Sequence, residues 1–320
     1  MRKQRDPLSK SRGGRVLVLL LVVLASVSFG LMPRSAAGQA DAAAAKALVP
    51  DMVGDPLAVF PAGALHVVGQ DRFAIGLVDM ATGPIEHGQV DLLFFKLTGG
   101  QGTLTETLPA PFMDYGVSEA HMAMDEHAEE SEITGVYIAR PTFDTPGSWG
   151  VVARLTLPDG TKRAGQVDFT VETDTEVPGV GESAIPSHTL TAATPEEAKT
   201  ICTADPPDDM HALSLDEALT SGKPTVVLFA TPALCTSRTC GPSLEAMQEL
   251  EHRYGEQANF IHIEIYPERD YNKPVAAMDE WHLPSEPWLF LIDGQGKVVD
   301  RYEGGIGLTE LDPAVAQLVS

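Results

Sequence analysis

The pattern of apolar residues changes near Lys199, and this change constrains the fold of the 320-residue chain more than any other feature. Before it, short runs rich in Val, Phe and Tyr are separated by turn signals such as Thr82-Gly83-Pro84. After it, apolar runs suited to buried strands alternate with segments of helical spacing. The chain therefore predicts two domains, an all-β sandwich at 46–173 and an α/β domain at 199–320. The proline-containing segment 174–198 between them predicts an extended linker.

The first domain contains at least five predicted strands with no helical period between them. Short strands of this kind, bounded by turns, are typical of a β-sandwich of roughly a hundred residues. In its pattern the domain resembles the immunoglobulin-like domains of exported bacterial proteins. The predicted strands are Arg72–Val78, Gln89–Leu97, Gly135–Arg140, Gly150–Leu157 and Gln166–Val171.

The second domain alternates helices and strands. Ser214, with Glu217 three residues later, has the spacing of a capping box at a helix start. The predicted helices are Ser214–Thr220, 242–254, Ala276–Trp281 and Leu308–Leu318. The predicted strands are Thr225–Ala230, Asn259–Ile265, Trp288–Ile292 and Lys297–Tyr302.

The amino-terminal segment 1–45 predicts export. A basic start is followed by the uncharged apolar run Val16–Met32 and then by small residues, which is the order of a secretory signal. The run is also long enough to cross a bilayer if it is retained as an anchor helix. Positive charge before it keeps the first residues in the cytoplasm. The rest of the chain is therefore expected outside the cytoplasm, either secreted or held at the membrane by this segment.

The charge of the chain excludes one class of partner. Its 45 acidic residues outnumber 22 basic ones, for a formal net charge of −23. Such a surface repels phosphate backbones, so we expect no nucleic-acid partner. Three cysteines are also too few for a disulfide scaffold. The sequence contains no glycine-rich phosphate loop, no Gly-x-Ser-x-Gly motif and no His-Glu-x-x-His motif.

Two cysteines, Cys235 and Cys240, lie between a predicted buried strand and a predicted helix. The N–H groups at a helix start favour a thiolate, and Arg238 adds a positive charge that acts in the same direction. Further along, Glu286-Pro287-Trp288 opens another strand. With these motifs, residues 199–320 resemble the thioredoxin-like superfamily. The resemblance implies that Cys235 is the attacking thiol, Cys240 the resolving thiol, and Pro287 a cis-proline that positions the substrate backbone.

The cysteine motif departs from that superfamily in its spacing, because four residues separate the cysteines where two are usual. Residues five apart in a helix are separated by roughly 7.5 Å of axial rise, too far for an unstrained disulfide. Cys235 is therefore expected on a loop that folds back over the helix start, with both sulfurs open to a visiting protein. Leu234 and Leu228 stand where the superfamily often has a tryptophan and a buried acid. A permanent disulfide that only closes the loop is the alternative.

Three further features concern metals and the remaining thiol. Cys202 is interpreted as a buried free thiol without a role, with an intermolecular link or a part in exchange as alternatives. The segment 113–130 offers soft and imidazole ligands that suit copper, although an acidic loop is the favoured interpretation; the candidates are His121, Met122, Met124 and His127. Tyr266-Pro-Glu-Arg-Asp270 and Leu291-Ile-Asp-Gly294 also resemble segments of exported thioredoxin-like proteins that deliver copper. Their ligand histidine would be expected where Ser285 and Glu286 stand; His282 is a near miss and His262 lies on another strand.

The sequence thus predicts an exported thiol–disulfide oxidoreductase that acts on a protein with disulfides or thiols through Cys235 and Cys240. No resident cofactor is expected, and copper is the one candidate metal. The second hypothesis is a non-catalytic copper-binding or copper-delivery protein with a structural disulfide.

Overall fold

A computed structural model describes residues 49–99, 101–116, 134–235 and 238–320. The predicted signal or anchor helix within 1–45 lies outside the described residues, as do the copper candidates His121, Met122, Met124 and His127. Across the described ranges, no helix is long and apolar enough to span a membrane.

The amino-terminal part consists of β-strands in two main sheets. One sheet has the order β1-β3-β8-β7, with β4 paired to β3, and the other has the order β11-β10-β5-β6. The strands are β1 Ala58–Pro61, β2 Gly69–Gln70, β3 Phe73–Asp79, β4 Gly83–Pro84, β5 Gln89–Thr98, β6 Gln101–Ala110, β7 Phe112–Asp114, β8 Gly135–Ala139, β9 Thr142–Phe143, β10 Gly147–Thr156 and β11 Lys162–Val171. Strands β2 and β9 form a separate short pair.

The two main sheets share one apolar core, as a sandwich requires. Phe73 and Tyr137 from the first sheet pack in the same buried cluster as Phe94 and Trp149 from the second. The apolar residues of β5 alternate between this cluster and a smaller one on the outer face that contains Leu93. The inner faces therefore hold the sheets together by burying aromatic and branched side chains.

The carboxy-terminal part is a four-stranded mixed sheet with helices on both faces. Its strand order is β13-β12-β14-β15, in which β12 and β13 are parallel and the other pairs antiparallel. The strands are β12 Thr225–Ala230, β13 Asn259–Glu264, β14 Trp288–Ile292 and β15 Val298–Glu303. The helices are α1 Pro195–Ile201, α2 Leu215–Thr220, α3 Cys240–Tyr254, α4 Ala276–Glu280 and α5 Leu308–Leu318.

Strand β12 is buried on both faces because helices cover each side of the sheet. Val227 and Phe229 face the cluster that contains residues of α2 and α4. Val226 and Leu228 face the cluster that contains residues of α3 and α5. A continuous apolar run is the pattern expected of such a strand.

The segment 174–198 is not a free linker. It is extended as far as α1, but it packs along the carboxy-terminal sheet. Ala184 and Gly181 donate backbone hydrogen bonds to Gly296 and Val298. Val177 and Ala184 are buried in the cluster on one face of that sheet. The segment therefore adds an extended edge to the carboxy-terminal part.

Candidate functional site

The cysteine pair lies where β12 passes into α3. Strand β12 ends at Ala230, a loop follows, and α3 begins at Cys240. The Cys240 N–H donates a hydrogen bond of 3.3 Å to Cys235 Sγ. Cys235 therefore lies on a loop that folds back over the helix start, as its spacing predicts. Both cysteines are free thiols.

The start of α3 provides a favourable potential for a thiolate. The helix has 15 residues, and its first turn contains no acidic residue. Its amino-terminal N–H groups carry partial positive charge, and one of them already donates to Cys235 Sγ. Cys235 is half-buried, so it is the more exposed cysteine of the pair.

The expectation that both sulfurs are open is wrong for Cys240, which is fully buried. The first turn of α3 packs onto the sheet, so this side chain belongs to the apolar cluster beneath the helix. Burial raises the pKa of the Cys240 thiol well above its usual range, and its hydrogen bond with Cys235 acts in the same direction. Cys240 therefore remains protonated at neutral pH.

Two side chains hold the loop that carries Cys235. The Tyr271 hydroxyl donates to the Leu234 carbonyl oxygen at 2.8 Å, and the Ala233 N–H donates to Thr203 Oγ1 at 3.3 Å. Arg238 has a left-handed backbone, with φ 58°, and its N–H donates to the Cys235 carbonyl oxygen at 3.2 Å. Its predicted effect on the thiolate stays a prediction.

Pro287 follows a cis peptide bond, as predicted. Its carbonyl oxygen accepts the Gly304 N–H at 2.9 Å. Glu286, just before it, is partly buried, and this burial raises the pKa of its carboxyl group. The charge of Glu286 contributes to the raised pKa of Cys240. Sequence reasoning assigned Glu286 no role, although an acid next to the expected cis-proline was a usable signal.

A second group of chemically active side chains lies elsewhere in the carboxy-terminal part. Cys202, Asp208, His211 and His262 are all buried, and one potential ligand atom from each lies within 4.8 Å of the others. Asp208 Oδ2 is the centre of the group, at 3.2 Å from Cys202 Sγ and from His211 Nε2, and at 2.7 Å from His262 Nδ1. Sequence reasoning gave Cys202 no role and missed Asp208 and His211.

Two opposing effects set the pKa values in this group: burial disfavours each charged form, and a neighbour of opposite charge favours it. Burial alone would raise the pKa of Asp208, but the charge of His262 holds it far below its usual range. Burial alone would lower the pKa of His262, but Asp208 raises it to about 10. For Cys202, hydrogen bonds with His211 and His262 outweigh burial and lower the pKa.

The two histidines considered for copper delivery differ in their burial and in their contacts. His262 is fully buried on β13, with its imidazole in the group just described. His282 is exposed, and its Nδ1 lies 3.7 Å from a Glu176 carboxylate oxygen. Neither occupies the position before β14 where the copper-delivery resemblance expects a ligand.

Comparison with known proteins gives no family assignment. No family model matches the chain, and no curated protein sequence matches it. One similar solved structure, from Chlorobium tepidum, is provisionally described as the thiol:disulfide interchange protein DsbE. It is 14% identical, with a TM-score of 0.31, and the match covers 45% of this chain and 99% of that one.

Two other similar structures are described as CopC from Methylosinus trichosporium OB3b and the PmoD soluble domain from Methylocystis sp. Both are 16% identical with a TM-score of 0.21; the matches cover 37% and 34% of this chain and 97% and 77% of theirs. At these TM-scores no shared fold or function follows.

Proposed function

We propose that the chain is an exported thiol–disulfide oxidoreductase that acts on the disulfides or thiols of another exported protein. The observation that carries this proposal is the asymmetry of the cysteine pair. Cys235 is half-buried and accepts the N–H of Cys240, whereas Cys240 is buried behind it with a raised pKa. A reachable sulfur at a helix start, backed by a protected second thiol, suits attack followed by resolution. Export is proposed from the segment 1–45.

The first step requires only Cys235. Its thiolate attacks one sulfur of a substrate disulfide, the substrate S–S bond breaks, and a Cys235–substrate mixed disulfide forms. The released substrate sulfur leaves as a thiolate and takes up a proton from solvent. The N–H groups at the start of α3 stabilise the attacking thiolate. Pro287 lies next to Glu286 at the start of β14, where it is proposed to hold the substrate backbone.

The second step requires Cys240 to lose its proton. Its thiolate then attacks the Cys235 sulfur, the mixed disulfide breaks, and the second substrate sulfur leaves as a thiolate. The chain ends with a Cys235–Cys240 disulfide, and two electrons have passed to the substrate. Glu286 is the carboxylate whose charge reaches Cys240, and we assign it the acceptance of this proton, directly or through water. The same steps in reverse oxidise a substrate dithiol.

Trapping of the intermediate tests this proposal. We expect Cys240→Ser, incubated with oxidised glutathione or a disulfide-containing peptide, to accumulate one mixed disulfide at Cys235, because the resolving thiol is missing. The wild-type chain should instead give the internal disulfide, and Cys235→Ser should give neither product at this site. Intact mass with peptide mapping measures all three. Absence of an adduct on Cys240→Ser, with the fold intact by circular dichroism, would count against exchange.

A second candidate function is metal binding without redox turnover. The observation that favours it is the buried group of Cys202, Asp208, His211 and His262. Copper binding by the segment that contains His121, Met122, Met124 and His127 remains a proposal of its own. Copper titrations of the wild-type chain and of His121→Ala test it. An unchanged copper affinity in the variant would exclude that segment as a site.

A further inference from the structure

The buried group formed by Cys202, Asp208, His211 and His262 has the ligand chemistry of a zinc centre. It offers one thiol, one carboxylate and two imidazoles, each a side chain that zinc binds in proteins. The sulfur and nitrogen donors argue against magnesium or calcium, which prefer oxygen ligands. Zinc with one thiolate, one carboxylate and two neutral imidazoles makes a complex of zero net charge. A neutral complex is the form that a buried position tolerates best.

The distances suit four ligands around one ion. Zinc–ligand bonds of about 2.0–2.3 Å place the ligands of a tetrahedral site roughly 3.3–3.8 Å from one another. The four potential ligand atoms lie within 4.8 Å of one another. Asp208 Oδ2 is 3.2 Å from Cys202 Sγ and 3.2 Å from His211 Nε2. The 2.7 Å contact with His262 has to lengthen by about half an ångström, and any pair near the 4.8 Å limit has to shorten by about 1 Å, to reach the tetrahedral spacing.

Hydrogen bonds with backbone groups outside the four proposed ligands orient two of these side chains toward the ion. His262 Nε2 lies 3.4 Å from the Ala230 carbonyl oxygen, which leaves Nδ1 directed to the group. Asp208 Oδ1 accepts the Met210 N–H at 3.0 Å, which leaves Oδ2 for the ion. Partners of this kind set the tautomer and direction of metal ligands in known centres.

The group also borders a cavity. His211 lines a cavity of about 240 Å³, whose wall includes Thr189, Ile201, Glu264 and Ala277. His188, whose side chain is largely exposed, lies at the same cavity. His211 therefore places the group beside this cavity.

We propose that Cys202, Asp208, His211 and His262 bind one Zn²⁺ ion as a closed four-ligand centre. Binding displaces the proton of the Cys202 thiol and those that the imidazoles share with Asp208, and no electron is transferred. The ion joins the segment between α1 and α2 to strand β13. This proposal is independent of the exchange reaction, since Cys235 and Cys240 are not among the ligands.

The first test is zinc affinity of the full chain. Metal-stripped protein is titrated with Zn²⁺ against a chromophoric chelator. We expect one Zn²⁺ per chain at this centre, and an affinity loss of about 100-fold or more for Cys202→Ser and His262→Ala. Loss of a ligand should cost at least as much as the roughly 10- to 100-fold that follows loss of an outer hydrogen-bond partner. The exposed His188 provides a matched control, and His188→Ala should leave the affinity unchanged.

The second test does not alter the centre. The sequence contains three cysteines, so in Cys235→Ser/Cys240→Ser Cys202 is the remaining thiol. Co²⁺ added to this variant should give a thiolate-to-cobalt charge-transfer band and the intense visible bands of a tetrahedral site. Excess Zn²⁺ should abolish both. This arm remains informative if Cys202→Ser fails to fold.

Three results would overturn the proposal. One is the absence of stoichiometric Zn²⁺ binding, in which case the group is a hydrogen-bonded ion cluster. Another is a zinc affinity that survives Cys202→Ser, which would place the ion elsewhere. The third is a Co²⁺ thiolate band that disappears in Cys235→Ser/Cys240→Ser, which would move the centre to the exchange pair. That last result would leave the exchange reaction itself open to the trapping test.

Discussion

Arg72 connects the two parts of the chain, and its removal should be costly. Its guanidinium forms two hydrogen bonds of 2.8 Å with the Glu310 carboxylate. It also donates to the carbonyl oxygens of Glu303 and Gly305, at 2.8 and 2.9 Å. The side chains of Arg72 and Glu310 are only 5% and 12% exposed. Arg72→Ala therefore leaves two carbonyl oxygens without their charged donor, and it leaves the largely buried Glu310 carboxylate with only a 3.5 Å contact to the more exposed Arg140.

The size of the expected loss in the free energy of unfolding depends on the charge that stays buried after the substitution. Removing one partner of a buried ion pair costs about 3–5 kcal/mol, because the other charge remains without compensation. Water that enters the space left by the guanidinium can donate hydrogen bonds to the two carbonyl oxygens. We therefore add no further loss for these oxygens and expect Arg72→Ala to lower the free energy of unfolding by about 3–5 kcal/mol. Replacing both charged residues, as in Arg72→Met/Glu310→Leu, should cost much less, since no charge is left unpaired.

Urea unfolding followed by circular dichroism measures these free energies. Sodium chloride at about 0.5 M should change the loss for Arg72→Ala only slightly, because salt screens buried pairs much less than exposed ones. Arg154→Ala is a matched control, since its pair with Asp91 is more exposed and should cost about 1 kcal/mol or less. A loss below 1 kcal/mol for Arg72→Ala, or a double variant as unstable as the single one, would refute the reasoning.

Three further predictions concern packing and pH, each measured by urea unfolding. Gly165→Ala should cost about 1–3 kcal/mol, because a Cβ there collides with the Leu57 carbonyl oxygen; an unchanged midpoint would contradict this. Phe229→Ala should cost about 3–5 kcal/mol because the ring is fully buried, whereas the exposed Val299→Ala should stay within about 0.5 kcal/mol. The raised pKa of Cys240 means that the unfolded chain ionises this thiol first, so stability should fall as pH rises above about 8.5. Cys240→Ala should lack that fall, and an identical pH profile for both proteins would be evidence against the raised pKa.

Helix α1 was not predicted, but the other elements of the carboxy-terminal part were predictable because their signals are local. The apolar run Thr225–Ala230 forms β12 without a change of bounds, and the helix predicted over 242–254 begins two residues earlier, at Cys240. Glu217 accepts the Ser214 N–H at 3.4 Å, as its place three residues after the N-cap predicts. In each case the deciding interaction lies within one element or its immediate flank.

Strand β6 was not predicted, although it is one of the longest strands. It lies at the edge of its sheet, paired only with β5. Most of its residues are exposed, so its sequence carries polar and threonine residues rather than an apolar alternation. Its strand conformation is set by pairing with β5, which a local pattern does not contain. The packed course of 174–198 was missed for a similar reason, because its buried residues Val177 and Ala184 are too sparse for a period.

The cysteine pair was easier to predict than the buried group around Asp208, because the pair is local in sequence and the group is assembled from distant segments. In the fold, Thr203 contacts both sites. The Thr203 N–H and hydroxyl both donate to the buried Glu264 carboxylate, at 2.8 and 2.6 Å. The same hydroxyl accepts the Ala233 N–H of the loop that carries Cys235. Cys202, the residue just before Thr203, is thereby held beside Asp208, His211 and His262. A local motif could indicate the cysteine pair, but only the fold brings together a loop thiol, a loop carboxylate and a strand histidine.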